Sequence, residues 1–268
     1  MIPHFCKVNN INVHNLILQS GALLLKSKKV MLDTLFPIFC LRCHKEGSWI
    51  CDSCLEKIPI NTEQLCPLCE KTETPNGRTC FACRKKTSLD GLIVAASYRD
   101  KLISHTIHLF KYSFVADLHK PLGGILVKAL LKTDAELPNF IIPVPLHPRR
   151  LRWRGFNQAE LLSQHLAKNI LPANELAIKT DTLERLRYTG VQKSIKNIRE
   201  RKSNIAGAFK VKNKQDVFGK TILLIDDVAT TGATLFECAK TLKQAGARQV
   251  FALVVARQEL NTRRGKQR

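Results

Sequence analysis

Eight of the chain's ten cysteines fall between positions 40 and 83 as four Cys-x-x-Cys pairs: Cys40/Cys43, Cys51/Cys54, Cys66/Cys69 and Cys80/Cys83. Two residues between thiolates let one tight turn aim both sulfurs at a single tetrahedral ion, and in a reducing compartment such pairs rarely persist as disulfides. Two structural zinc sites of four thiolates each follow, stapling a segment too small to fold on its own core. Successive pairs are separated by 7, 11 and 10 residues, which favours joining the first two pairs at one ion and the last two at another; interleaved pairing needs longer loops. An iron–sulfur cluster, a redox pair or a zinc module that touches nucleic acid stays open on spacing alone. A site closed by four thiolates has no position for substrate, so chemistry is expected elsewhere. Cys6 and Cys238 stand outside the pairs and read as ordinary thiols, Cys238 on a helix face.

With 268 residues, 44% of them hydrophobic, the chain suits one ordinary domain plus a smaller module and is neither collagen-like nor wholly disordered. The apolar stretch from Leu16 to Leu25 is broken by Gln19, Ser20 and Gly21 and falls short of the roughly 20 residues a spanning helix needs. Lys26, Lys28 and Lys29 follow that stretch rather than precede it, unlike a secretory signal, so the expected location is cytoplasmic with no integral membrane segment. Residues 1–30 read either as a disordered leader or as the product of a misassigned start upstream of Met31. Residues 31–87 form the expected cysteine module, 88–260 a larger domain and 261–268 a basic tail. Lys and Arg outnumber Asp and Glu by 43 to 22, a formal charge of +21, which two zinc tetrathiolate sites would reduce to about +17. Such a surface attracts phosphates, whether of a nucleic acid or of a small ligand, and also aids solubility.

From residue 88 the pattern alternates strand-length apolar runs with helical periodicity, as in an α/β domain. Strands are expected at 91–98, 139–146, 205–211, 220–227 and 250–256, and helices at 101–111, 116–131, 158–169 and 234–245. Two strand–helix–strand units predict a mostly parallel sheet flanked by helices. The most informative stretch is ILLIDDVATTGAT, 222–234. Its β-run ends on Asp226 and Asp227, at the carboxyl edge where open α/β sheets bind ligands. Thr230, Thr231, Gly232, Ala233 and Thr234 then open a helix whose first amides, with the hydroxyls, suit a phosphate. Carboxylates beside a phosphate cradle imply a ligand with sugar hydroxyls or a metal, hence a ribose phosphate.

That segment resembles the phosphoribosyl-pyrophosphate (PRPP) signature of the type I phosphoribosyltransferases. The resemblance implies that Asp226 and Asp227 hold the ribose 2′- and 3′-hydroxyls and that Thr230 to Thr234 bind the 5′-phosphate. Two further stretches fit the same ligand. PVPLHPRRLRWRGFNQ, 143–158, carries Arg149, Arg150, Arg152 and Arg154 with no acidic residue and reads as a basic loop able to fork onto pyrophosphate, with Gly155 at its end; a solvated loop or a nucleic-acid patch is the alternative. Residues 183–204 are polar, basic and without clear periodicity, as a mobile lid would be. Within them Arg187, Tyr188, Thr189, Gly190, Gln192 and Arg199 resemble the flexible loop of the PRPP amidotransferases. The glutaminase domain of those enzymes has no counterpart here.

In order, four Cys-x-x-Cys pairs, PVPLHPRRxRxRGFNQ, RYTGxQ and LLIDDVATTGAT resemble the ComF/ComFC family of competence proteins over roughly residues 32–257. The resemblance implies a double zinc ribbon, a phosphoribosyltransferase-type domain using PRPP with Mg²⁺, and a role in natural transformation. Its implied partners are single-stranded DNA and a helicase-like competence protein at the inner membrane. Phe110-Lys111-Tyr112 resembles the family's LKY segment, so Lys111 either reaches a phosphate or ends an amphipathic helix. The acceptor pocket is expected in a variable hood to which residues 88–131 contribute. A non-catalytic sensor of PRPP or a nucleotide, bound to single-stranded DNA, is the rival to an enzyme.

Overall fold

The computed structural model describes residues 37–134, 137–170, 176–188 and 204–258. The expected leader and tail, and Thr189, Gly190, Gln192 and Arg199 of the expected lid, lie outside these residues. The chain divides into two compact units, residues 1–51 and 52–268. In the first, a tight turn follows Cys40: the amide of His44 donates to the Cys40 carbonyl (3.0 Å) and that of Cys40 to Lys45 (2.8 Å). The left-handed backbone of His44, φ 59°, makes the turn close enough to return the chain.

The second unit opens with a short helix, α1 (Asp52–Glu56). Its centre is a parallel sheet of β1 (Gly91–Ser97), β2 (Phe140–Pro143), β5 (Thr221–Ala229) and β6 (Gln249–Arg257), in the order β1-β6-β5-β2. The central strands are nearly continuous apolar runs because both faces are covered. Ile222, Leu224, Val250, Ala252 and Val254 join one buried cluster with Leu235, Cys238 and Leu242 of α6 (Ala233–Gln244). The alternate residues Leu223, Ile225, Leu253 and Val255 are equally buried and point to the opposite face, where α3 (His119–Leu131) and α5 (Gln158–Ile170) pack against the sheet. Helix α2 (Lys101–Tyr112) starts on Asp100, whose carboxylate accepts from the amides of Leu102 (2.8 Å) and Ile103 (3.3 Å). Its buried stripe is Ile103, Ile107 and Phe110.

Two expectations change. The arginine stretch is not a loop but helix α4 (Pro148–Arg154). Pro148 supplies a preset first turn, the imidazole of His147 accepts from the Arg149 amide (3.2 Å), and left-handed Gly155 ends the helix. Residues 183–185, assigned to the lid, form β3 (Leu183–Arg185), paired antiparallel with β4 (Phe209–Val211). Three residues are too few to register as periodicity. Residues 88–131, expected to contribute to a hood, supply a strand of the main sheet and a helix packed on it, and Tyr98, His108, Lys111 and Tyr112 among them line a cavity at the sheet edge. Among the described residues no helix is long and apolar enough to cross a membrane.

Candidate active site

A cavity of 490 Å³ opens at the carboxyl end of β5. Hydrophobic residues hold β5 in the sheet up to Ile225, and the next two side chains are the carboxylates that line the cavity. Asp227 is only 5% exposed, and its Oδ1 lies 2.8 Å from Nζ of Lys111 at the end of α2. The backbone amide of Asp227 donates to Asp226 Oδ1 (2.8 Å), and that of Val228 to Asp227 Oδ1 (2.6 Å). Burial, and then the charge of Asp227, push the Asp226 carboxyl up to about 7 against the opposing pull of Lys111. Burial alone would lower the Lys111 ammonium; Asp227, with Asp226 behind it, more than offsets this and holds it above its ordinary value. Lys111 thus ends the helix, as one of its two readings had it, and from there makes an ion pair at the cavity.

Beyond β5 the chain turns through Gly232, whose φ of 73° is left-handed, into α6. A helix start leaves its first amides without carbonyl partners inside the helix, and Thr230 and Thr234 bring their side chains into the cavity beside it. Thr231 does not: it is buried, and its hydroxyl accepts from the Ala233 amide (3.3 Å). Gly232 and Ala233 contribute backbone shape rather than cavity-lining side chains.

Helix α4 supplies the basic wall through Arg149, Arg150 and Arg154. Arg154 Nη1 donates to Gln158 Oε1 (3.0 Å), while its buried Nε has no hydrogen-bond partner. Burial depresses this guanidinium, with Asp227 working in the opposite direction. Tyr188 also lines the cavity, its ring 5.0 Å from Cζ of Arg149 and 5.7 Å from that of Arg150, and edge-on to His147 at 5.3 Å. Gly155 ends α4 without lining the cavity.

Of the wall residues that sequence reasoning missed, four stand out. Arg185 on β3 is buried and lines the cavity, its guanidinium depressed by burial and then by Arg150. The only signal for it was the Leu-Glu-Arg alternation. Tyr98 and Gln258 follow the ends of β1 and β6, and a strand-tip rule would have found both. Trp153 projects from α4, 60% exposed, with its ring edge-on to Phe114 at 5.1 Å.

The family described as phosphoribosyl transferase domain matches residues 155–266. The DNA utilization protein YhgH of Escherichia coli K12 is 32% identical over 223 residues, covering 80% of this chain and 94% of that protein. Competence protein F of Haemophilus influenzae is 28% identical over 232 residues, covering 83% of this chain and 98% of that protein. The chain belongs to the ComF/ComFC family. Among solved structures, the Bacillus subtilis glutamine PRPP amidotransferase complexed with ADP and GMP is similar over 52% of this chain and 27% of that chain, at 18% identity and a TM-score of 0.35. A likeness that slight has no bearing on the activity of a ComF protein.

The zinc ribbon expected of a ComF protein has matching cysteines. In the first unit the sulfurs of Cys40, Cys43 and Cys51 lie within 4.8 Å of one another, and in the second those of Cys66, Cys69, Cys80 and Cys83 do. The last two pairs thus share one group, as sequential pairing expects. Zinc–sulfur bonds of about 2.3 Å in a tetrahedron put sulfurs about 3.8 Å apart, and the observed separations of 3.5 Å for Cys43–Cys51 and 4.0 Å for Cys69–Cys80 bracket that value. The thiols also share protons unevenly. Backbone amides hold Cys69 down to about 6, whereas the Cys80 sulfur, with burial, pushes Cys83 up to about 12. Both groups can hold zinc, which would supply structural cross-linking and no reaction step.

Proposed function

We propose that the cavity binds PRPP with Mg²⁺ and that the protein transfers its phosphoribosyl group to an acceptor during the handling of DNA taken up by the cell. The observation that carries this reading is the meeting of three chemistries in one 490 Å³ space: the Asp226–Asp227 couple, the Thr230–Thr234 helix start and the α4 arginines. Pockets of a few hundred Å³ suit a ligand of this size. In this reading Asp226 and Asp227 accept hydrogen bonds from the ribose hydroxyls, and Thr230 and Thr234 with the first α6 amides hold the 5′-phosphate. Arg149 and Arg154 hold the pyrophosphate, and the unpartnered Nε of Arg154 offers a donor to it. Magnesium, held with the ligand beside Asp226 and Asp227, would supply charge neutralisation.

Transfer breaks the bond between the anomeric carbon and pyrophosphate. Carboxylates near the ribose favour the positive charge that develops on the ring, and the arginines stabilise the negative charge that leaves. Tyr188 backs Arg149 and Arg150, fixing their forks toward the cavity. Lys111 neutralises Asp227, so that an anionic ligand meets an acidic couple already partly compensated. Gln192 and Arg199 belong to this reading as lid residues on the strength of the resemblance alone. The cell compartment is the cytoplasm, with any contact to the inner membrane made through a helicase-like partner. The names of the E. coli and H. influenzae relatives, DNA utilization and competence, support the setting. Calorimetric titration with PRPP and Mg²⁺ tests binding: the wild type is expected to bind and Asp226→Asn to bind at least tenfold more weakly. Equal affinity would remove the assignment. Pyrophosphate released in the presence of nucleobases or amines then separates an enzyme from a sensor.

A second reading, contact with single-stranded DNA, is favoured by the exposed Trp153–Phe114 pair on the edge of the arginine helix. Stacking on an aromatic side chain is worth about 1–3 kcal/mol per base, and phosphate contacts make affinity fall steeply with salt. Phe114→Ala, which removes the ring of the pair that does not line the cavity, is expected to weaken oligonucleotide binding about tenfold while PRPP affinity changes less than twofold, both measured by fluorescence anisotropy competition. Loss of neither would leave the basic face to PRPP alone.

A further inference from the structure

The second cysteine group is joined to the cavity by one arginine. Arg257, the last residue of β6, donates through Nη2 to Glu70 Oε1 (2.8 Å) and to the carbonyl of Pro67 (3.1 Å). Pro67 lies between Cys66 and Cys69, and Glu70 directly follows them, so both acceptors sit on the turn that presents those two sulfurs. The turn itself is tight: the Glu70 amide donates to the Cys66 carbonyl (2.9 Å), and Glu70 has a left-handed φ of 53°. It is also tied to the sheet from the other side. The side-chain amide of Gln64 takes the place of a neighbouring strand at β1, its Oε1 accepting from the Val94 amide (2.9 Å) and its Nε2 donating to the Val94 carbonyl (3.1 Å). Gln64 in turn accepts the Thr74 amide at its carbonyl (2.9 Å).

Arg257 stands opposite Ala229 in the sheet register, and Ala229 is the last strand residue before the phosphate-binding turn. The next residue, Gln258, donates its amide to the Ala229 carbonyl (2.8 Å) and lines the cavity, as Thr230 does. The carboxyl tips of β5 and β6 thus end on a half-buried arginine held by the cysteine turn.

We infer that zinc at the Cys66/Cys69/Cys80/Cys83 group fixes the cavity wall through Arg257, making Arg257 a positioning residue for the Ala229–Leu235 turn. The metal shapes the turn, the turn presents the Glu70 carboxylate and Pro67 carbonyl, and these hold the strand tip from which Thr230 and Gln258 emerge. In its binding consequence the inference rests on the PRPP reading; in its structural consequence it does not.

Full-length Arg257→Gln and Glu70→Gln test it, the second retaining the Pro67 contact. Zinc content is expected to stay at the wild-type value in both. Hydrogen exchange of the amides of residues 229–235 should quicken about tenfold in Arg257→Gln and less in Glu70→Gln, while amides of β2, which pairs with β5 only from Ile222 to Ile225 and so short of its tip, keep their protection. PRPP affinity should fall about tenfold in Arg257→Gln, and the charge-reversed pair Glu70→Arg with Arg257→Glu should recover part of both losses. Unchanged exchange at 229–235 in Arg257→Gln with zinc retained overturns the inference. If the wild type fails to bind PRPP while exchange still responds, the PRPP reading falls and the coupling stands.

Discussion

The tip of β5 and helix α4 line the same cavity and are built in opposite ways. Asp227 is held between a covered parallel sheet and a lysine from α2, at 5% exposure, and its geometry is fixed by the main-chain amides around it. The α4 arginines stand on a seven-residue helix, and among them Trp153 is 60% exposed. One wall is part of the core and the other is mounted on the surface. Disturbing the first is therefore expected to damage the fold and the ligand site together, whereas disturbing the second should touch recognition alone.

The largest expected effect tests that contrast directly. Lys111→Met removes the counter-charge of a nearly buried carboxylate, and breaking such a pair leaves an uncompensated charge costing about 3 kcal/mol. Arg149→Ala, on the exposed wall, should change stability by no more than about 0.5 kcal/mol while weakening PRPP binding. Urea midpoints at constant m-value measure both. Equal destabilisation would erase the distinction between the walls.

Next comes the proton on Asp226. Burial and the charge of Asp227 push its carboxyl up to about 7 in the fold, above its ordinary value of 3.8. Between those values the folded protein keeps a proton that the unfolded chain has released, so stability falls as pH rises through that window. Ribose hydroxyls are better held by the ionised form, so PRPP affinity should rise with pH through about 7. Asp226→Asn should flatten both profiles, and a mutant that keeps the wild-type pH dependence of binding would assign it to another group.

The same contrast decides what the sequence could disclose. Ile222 to Ile225 ending on two aspartates is legible because a strand buried on both faces admits few other residues, and a switch to carboxylates and small hydroxylic residues marks the sheet edge. Cysteine spacing is legible for a similar reason, since the turn between two sulfurs is short. Helix α4 was harder: four arginines hid the Pro148 and Gly155 punctuation that bounds it. β3 was harder still, as its partner lies more than twenty residues away and pairing, not composition, makes it a strand. The Lys111–Asp227 contact joins residues 116 apart in sequence, and a single chain carries no local sign of it. Thr231 illustrates the converse, a residue that fits the phosphate motif but is buried, its hydroxyl accepting from the Ala233 amide.

Two glycines sharpen the comparison at the smallest scale. Gly232, at the β5 tip, and Gly155, at the end of α4, have nearly the same left-handed backbone, φ 73° and 79°. Either one replaced by alanine meets the left-handed penalty of about 1 kcal/mol. The surroundings then separate them. A Cβ at Gly232 would lie 2.9 Å from Cε2 of Phe236, a ring that packs against the α6 core, whereas one at Gly155 meets nothing within 4 Å. Gly232→Ala must displace that ring, and with it the first turn of α6, for a total near 2 kcal/mol and a weaker grip on PRPP. Gly155→Ala should cost about 1 kcal/mol and leave PRPP affinity within twofold. Thermal midpoints and calorimetric titration of the two variants read this difference, and identical losses of affinity would mean that the end of α4 is as rigidly coupled to the ligand site as the strand tip.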